Sequence, residues 1–162
     1  MKNKPILIVA GEPKSIFFEI FFKSLKLEKY KSPLILVASS KLLMSQMNKF
    51  NFKKKIRFIN LENLNNYKFD NKFLNLIDIK FKNRNNKIYI KDCFDVAFKI
   101  INSGFTNKFI NGPINKSKFF NKKFLGVTEY LSNKFKVKKI AMLIYNKNLS
   151  VCPVTTHLPL KL

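Results

Sequence analysis

The alternation of short apolar runs with amphipathic segments constrains this chain most. Pro5 to Ala10 is a β-type run. Lys14 to Leu25 follows, with Phe17, Phe18, Phe21, Phe22 and Leu25 at i, i+4 spacing, the aromatic stripe of a helix laid on a sheet. Pro33 to Ala38 predicts a second strand. Ser39-Ser40 can cap a helix over Lys41 to Asn48, and Ile56 to Leu61 predicts a third strand. The asparagine-rich stretch from residue 62 reads as a loop before a strand at Leu74 to Phe81 and a turn at Lys82 to Asn86. Lys91 to Asn102 predicts a helix ended by Gly104. Phe109 to Asn111 predicts a strand that runs into Gly112-Pro113. Thr128 to Phe135 predicts a helix with Thr128 as its cap. Ile140 to Tyr145 and Leu149 to Thr155 predict two strands joined as a hairpin through Asn146-Lys147-Asn148. Such alternation implies one α/β domain: a largely parallel sheet, helices on both faces, and an antiparallel hairpin near the C-terminus.

Composition narrows the partners. An apolar content of 46% suits a globular chain, and no apolar run approaches the ~20 residues of a membrane span. The apolar run after Met1-Lys2-Asn3-Lys4 is too short for a secretory signal, so a cytoplasmic location is expected, with no membrane partner. Cys93 and Cys152 lie far apart and read as reduced and mostly buried thiols. The net charge of +23 invites nucleic acid. Yet arginine stands only at 57 and 84, and the lysines spread along the whole chain. The excess of Lys, Asn, Ile and Phe matches A/T-rich codons. Weak binding to polyanions is expected, but no specific nucleic-acid partner.

In parallel sheets, ligands bind beyond the carboxyl ends of the strands. Four loops fall there: Gly-Glu-Pro-Lys-Ser from Gly11, Asn-Gly-Pro-Ile-Asn-Lys from Asn111, Gly-Val-Thr-Glu from Gly126, and Thr-Thr-His-Leu-Pro-Leu from Thr155. Glu12 reads either as a ligand residue or as a helix-dipole partner. Backbone amides after Pro113, with Lys116, read either as an anion cradle or as a plain turn. Thr128 reads as a helix cap or a ligand hydroxyl. His157, the one histidine, reads as a structural residue or a metal ligand; alone it makes no metal site.

Taken in order, these loops resemble the N-terminal half of the 4-hydroxythreonine-4-phosphate dehydrogenase (PdxA) family. The Gly-Pro-Ile-Asn-Lys and Thr-Thr-His-Leu-Pro-Leu motifs are the specific ones. The resemblance implies a fold similar to isocitrate and isopropylmalate dehydrogenases and a homodimer with its active site at the interface. It implies an oxidoreductase of pyridoxal phosphate (vitamin B6) biosynthesis that uses NAD or NADP and a divalent metal such as zinc, magnesium or cobalt. The substrate is a small phosphorylated amino acid, 4-phosphooxy-threonine, whose 3-hydroxyl is oxidised before carbon dioxide leaves. His157 matches one of the family's three metal-binding histidines; the other two belong to a second half absent from residues 1–162, so this fragment alone should be inactive. Thr128 matches a substrate-binding position. Val127 stands where the family carries a substrate-contacting histidine, and Ser15 and Phe17 replace glycines of the first turn. Two alternatives stand beside this reading: a related dehydrogenase for another hydroxy acid, suggested by Val127, and a non-catalytic anion- or RNA-binding domain, suggested by the net charge of +23.

Overall fold

The computed structural model describes residues 3–82, 85–120 and 123–154. The chain divides into two compact units, Met1–Asn115 and Lys116–Leu162.

The first unit is a five-stranded sheet of β1 (Ile6–Val9), β2 (Leu34–Ala38), β3 (Ile56–Phe58), β4 (Leu74–Asp78) and β5 (Lys108–Asn111), in the order β3-β4-β2-β1-β5. Every pairing is parallel. β2 is buried throughout because it lies between two strands and beneath helices on both faces, which explains its unbroken apolar sequence. Alternate strand residues Ile8, Leu34, Leu36, Leu74 and Leu76 meet Phe17, Phe18, Phe21 and Phe22 of α1 (Phe17–Leu27) and Leu43 of α2 (Ser40–Lys49) in one core. The predicted aromatic stripe therefore covers the sheet as expected. The intervening residues Leu7, Val9, Ile35 and Val37 are buried on the other side. There α3 (Asn86–Asn102) packs on β1 and β2, burying Tyr89, Ile90, Cys93, Phe94 and Ala97. The parallel sheet with helices on both faces is thus established.

Element ends moved for local reasons. Ser15 folds back to Glu12, its N–H and hydroxyl both donating to that carbonyl, so α1 starts at Phe17 and not Lys14. Ser39 caps α2 as expected, accepting from the Leu42 N–H. β3 ends at Phe58 and β4 at Asp78, both shorter than predicted. A 3₁₀ turn over Leu61–Asn66, capped by Asn60, occupies part of the predicted loop. α3 starts five residues before Lys91 because Asn85 accepts from the Ile88 N–H and caps an extra turn that buries Tyr89. Gly104 follows α3 at φ +76, the left-handed stop read from the sequence.

The second unit contains α4 (Lys116–Phe120) and α5 (Val127–Phe135), held by a cluster of Phe119, Phe120, Phe124 and Tyr130. The cap of α5 is Gly126, not Thr128, which lies one residue inside the helix after Val127. Of the hairpin expected over 140–155, the described residues form one antiparallel bridge, Ile144 to Val151, with hydrogen bonds of 2.8 and 2.9 Å. Neither predicted strand forms as such there. Apart from half-buried Pro153 the described segment is exposed, Cys152 included, so that thiol is not buried as expected; a two-stranded ribbon without a covering layer is marginal in water. Thr155, and Leu158, Leu160 and Leu162 with it, lie outside the described residues.

Candidate functional site

The turns after β1 and β5 are built against each other. Gly11 faces the Pro113 carbonyl so closely that a Cβ would lie 1.9 Å from that oxygen, and one on Gly112 would lie 2.6 Å from the Gly11 nitrogen. The Glu12 N–H donates to the Pro113 carbonyl at 2.8 Å, and the Gly112 N–H to Val9 at 2.8 Å. Both glycines are therefore accounted for by one backbone passing another.

Glu12 proves to be a tie between elements. Its Oε2 accepts from the Asn86 side chain at 2.8 Å, across 74 residues, and so joins the first turn to the start of α3. This is close to the helix-partner reading, although the contact is to a side chain. The carboxylate remains half-exposed at the carboxyl end of the sheet.

The chain leaves β2 toward the face of α1 and α2 but leaves β4 toward α3, so the crevice expected from the parallel-sheet rule opens between the ends of β2 and β4. Groups at that end bond one another. The Ser40 N–H donates to Asp78 Oδ1 at 2.6 Å, and the buried Ser39 N–H donates to the Tyr89 hydroxyl at 2.9 Å. Burial pushes the Tyr89 phenol far above its ordinary range, and pushes the neighbouring Cys93 thiol up to about 12. Both stay neutral at physiological pH, and Cys93 is no nucleophile. Asp78, Asn86 and Tyr89 escaped the sequence reading because their partners lie 38 to 74 residues away with no local signature.

Val127 and Thr128 occupy the first turn of α5 in the second unit, both half-buried. Glu129 follows, its Oε2 buried and without a hydrogen-bond partner, 2.9 Å from where a Cβ on Gly126 would sit. Lys116 opens a helix of only five residues, which lends little dipole to an anion cradle. His157 lies outside the described residues. Among the described residues no group of three His, Cys, Asp or Glu could hold a metal ion, and no helix is long and apolar enough to cross a membrane.

The family model for the pyridoxal phosphate biosynthetic protein PdxA matches residues 29–162. The chain belongs to the PdxA family. The 4-hydroxythreonine-4-phosphate dehydrogenase of Wigglesworthia glossinidia brevipalpis is 27% identical over 171 aligned residues, covering 99% of this chain and 51% of that protein. The dehydrogenase of the same name from Neisseria meningitidis serogroup A is 33% identical over 81 residues, covering 47% of this chain and 25% of its own length. The chain thus spans about half the length of the Wigglesworthia relative. Among solved structures, a putative 4-hydroxythreonine-4-phosphate dehydrogenase from Salmonella typhimurium superposes with a TM-score of 0.79 at 22% identity, over 98% of this PdxA chain and 53% of the other. The Klebsiella pneumoniae enzyme gives 0.78 at 22% identity. Those two likenesses establish the shared fold.

Proposed function

We propose that the protein carrying this chain is a 4-hydroxythreonine-4-phosphate dehydrogenase of vitamin B6 biosynthesis. It oxidises 4-phosphooxy-threonine with NAD or NADP, and decarboxylation follows. The observation that carries this reading is the family match over residues 29–162. In this proposal residues 1–162 form the N-terminal part of an isocitrate-dehydrogenase-like protein that works in the cytoplasm as a homodimer. The exposed apolar residues Leu143, Ile144, Tyr145 and Leu149 suit a surface that is covered in the whole assembly.

Thr128 is the substrate-binding hydroxyl in this reading, since its helix is capped by Gly126 and does not need it as a cap. Val127 offers the substrate no hydrogen bond. His157 supplies one ligand to the divalent metal. By the family resemblance, the other two metal-binding histidines lie outside residues 1–162. When bound, the metal supplies Lewis-acid polarisation of the substrate oxygen. Residues 1–162 alone should be inactive.

Genetic complementation tests the proposal. The reading frame that carries this chain should restore growth without pyridoxine to a bacterium lacking its own dehydrogenase. His157→Ala should abolish rescue, and cost the purified protein more than the ~10–100-fold typical of losing a residue that only supports a ligand. Rescue at the wild-type level by His157→Ala would remove the metal role. Failure of the wild-type frame, with activity on a different hydroxy acid, would favour the reading suggested by Val127. In that case Val127→His should raise activity on 4-phosphooxy-threonine.

A further inference from the structure

On the α1 side of the sheet a groove of about 320 Å³ runs between α1 and the edge strand β5. The register explains it. Ile8 pairs with Ile110, so both point to the side on which Ile8 meets α1. The core beneath α1 takes in Ile8, Leu34 and Leu36 but not Ile110. Ile110 is left 51% exposed, and Ile20 of α1, which lines the same groove, 53%. The inner wall of Ile8, Phe17 and Phe21 already belongs to the core. The uncovered surface is Ile20 and Ile110, with half-buried Ile6 and exposed Tyr30.

This strip is also where charge is missing. The chain carries 32 lysines and arginines, yet no charged residue lines the groove. Lys108, two residues before Ile110 on the same side of β5, donates to the Ser32 hydroxyl at 3.5 Å. The polar side chains of the groove bond within the chain. The Ser24 hydroxyl donates to the Phe21 carbonyl at 2.9 Å, and Asn111 Nδ2 to the Gly112 carbonyl at 3.1 Å. Few polar groups remain to orient a small ligand, which needs several well-placed ones. A second copy is a poor fit too. A two-fold contact sets the same patch against itself, and two concave surfaces enclose a void.

We propose that a helix from the half of the protein outside residues 1–162 lies in this groove, beside α1 and over β5. The relatives carry the chain for it. The Wigglesworthia protein is matched over 51% of its length and the Salmonella structure over 53%, so about as much chain again remains in each. Neighbouring helices pack about 8–10 Å apart, and the free strip beside α1 has room for one such neighbour. Its groove-facing residues are apolar and repeat at i, i+3 or i+4, and i+7. The inference rests on reading residues 1–162 as the N-terminal part of a longer chain, and not on the proposed activity.

The test uses the whole reading frame. The photo-crosslinker p-benzoylphenylalanine replaces Ile20 or, separately, Ile110, and a mixture of 14N and 15N protein separates links within a chain from links between chains. Both positions should link to one peptide beyond residue 162 of the same chain, with apolar residues at helical spacing. The same probe replacing Ile88, exposed on α3 across the sheet, should not reach that peptide. Ile20→Cys and Ile110→Cys cover the case in which the bulky probe displaces the helix. Alkylation, followed peptide by peptide, should be about tenfold or more slower there than at Ile88→Cys, because a packed site must open before it reacts. Alkylation as fast as at Ile88→Cys overturns the proposal. Links between chains overturn it in favour of a dimer contact, and protection without any link beyond residue 162 overturns it in favour of a small ligand or of residues 1–162 themselves. Neither readout uses catalysis. An inactive protein with the expected links keeps this inference and loses the proposed function, and an active protein without them does the reverse.

Discussion

At the scale of single residues, two glycines test how space and torsion differ. Gly11→Ala would drive a Cβ to 1.9 Å from a backbone oxygen that cannot move without breaking the Glu12–Pro113 hydrogen bond. A loss of about 3 kcal/mol or more is expected in urea unfolding, at the upper end of ordinary substitutions. Gly104 has open space around it but stands at φ +76, so Gly104→Ala should cost only about 1–2 kcal/mol, the penalty of a left-handed backbone. Tyr89 and Cys93 give a pH signature. Both have folded pKa values raised by burial, so the folded state holds their protons more tightly than the unfolded chain does. Their contribution is complete below about pH 8, where both groups are neutral in the folded and the unfolded chain. It is lost as pH rises toward the folded value of about 12 for Cys93, with a slope of about 1.4 kcal/mol per pH unit for each group ionised only in the unfolded chain. Chemical denaturation between pH 8 and 11 should show this decline, and Cys93→Ala should make it shallower.

At the scale of elements, capping and side-chain ties place the strands. Ser39→Ala removes the α2 cap and should cost about 1 kcal/mol. Asn71 has a larger task. Its Oδ1 accepts from the Leu34 N–H at the start of β2, and its Nδ2 donates to the Tyr30 and Ser32 carbonyls, each at 2.9 Å. Asn71→Ala should therefore cost about 2–3 kcal/mol, since each net hydrogen bond contributes about 1. It should also raise amide exchange at Leu34 and Ile35 more than at β5. Uniform exchange across the sheet would show that β2 is placed by its apolar side chains alone. The Ser39 cap was readable from two serines ahead of an amphipathic run. The Asn71 tie was not, because an asparagine in an asparagine-rich loop looks like its neighbours.

At the scale of the whole molecule, charge dominates. Against 32 cationic residues stand nine acids, and the three described ion pairs are at least partly exposed, each contributing little. Self-repulsion should make the chain least stable at low ionic strength. Its Tm should rise with sodium chloride from about 10 mM to 150 mM as the Debye length falls from roughly 30 to 8 Å. A Tm that falls over this range would mean that the ion pairs outweigh the net repulsion.

The sequence by itself determined the architecture. Aromatic residues at helical spacing on α1, an unbroken apolar β2 and the left-handed stop at Gly104 are local patterns, and burial of an apolar face leaves few other layered solutions. The order of the loops likewise carries the family resemblance. Tertiary structure alone decided the strand order β3-β4-β2-β1-β5, the tie of Glu12 to Asn86 and the bonds of Ser39 to Tyr89 and Ser40 to Asp78 at the ends of β2 and β4. It also decided that Gly126 and not Thr128 caps α5, and that Ile144 and Val151 form only a bridge. These outcomes depend on which groups meet across long stretches of chain. Polar pairs of that kind are fixed by geometry once the apolar layers have packed, and they leave no periodic trace in the sequence.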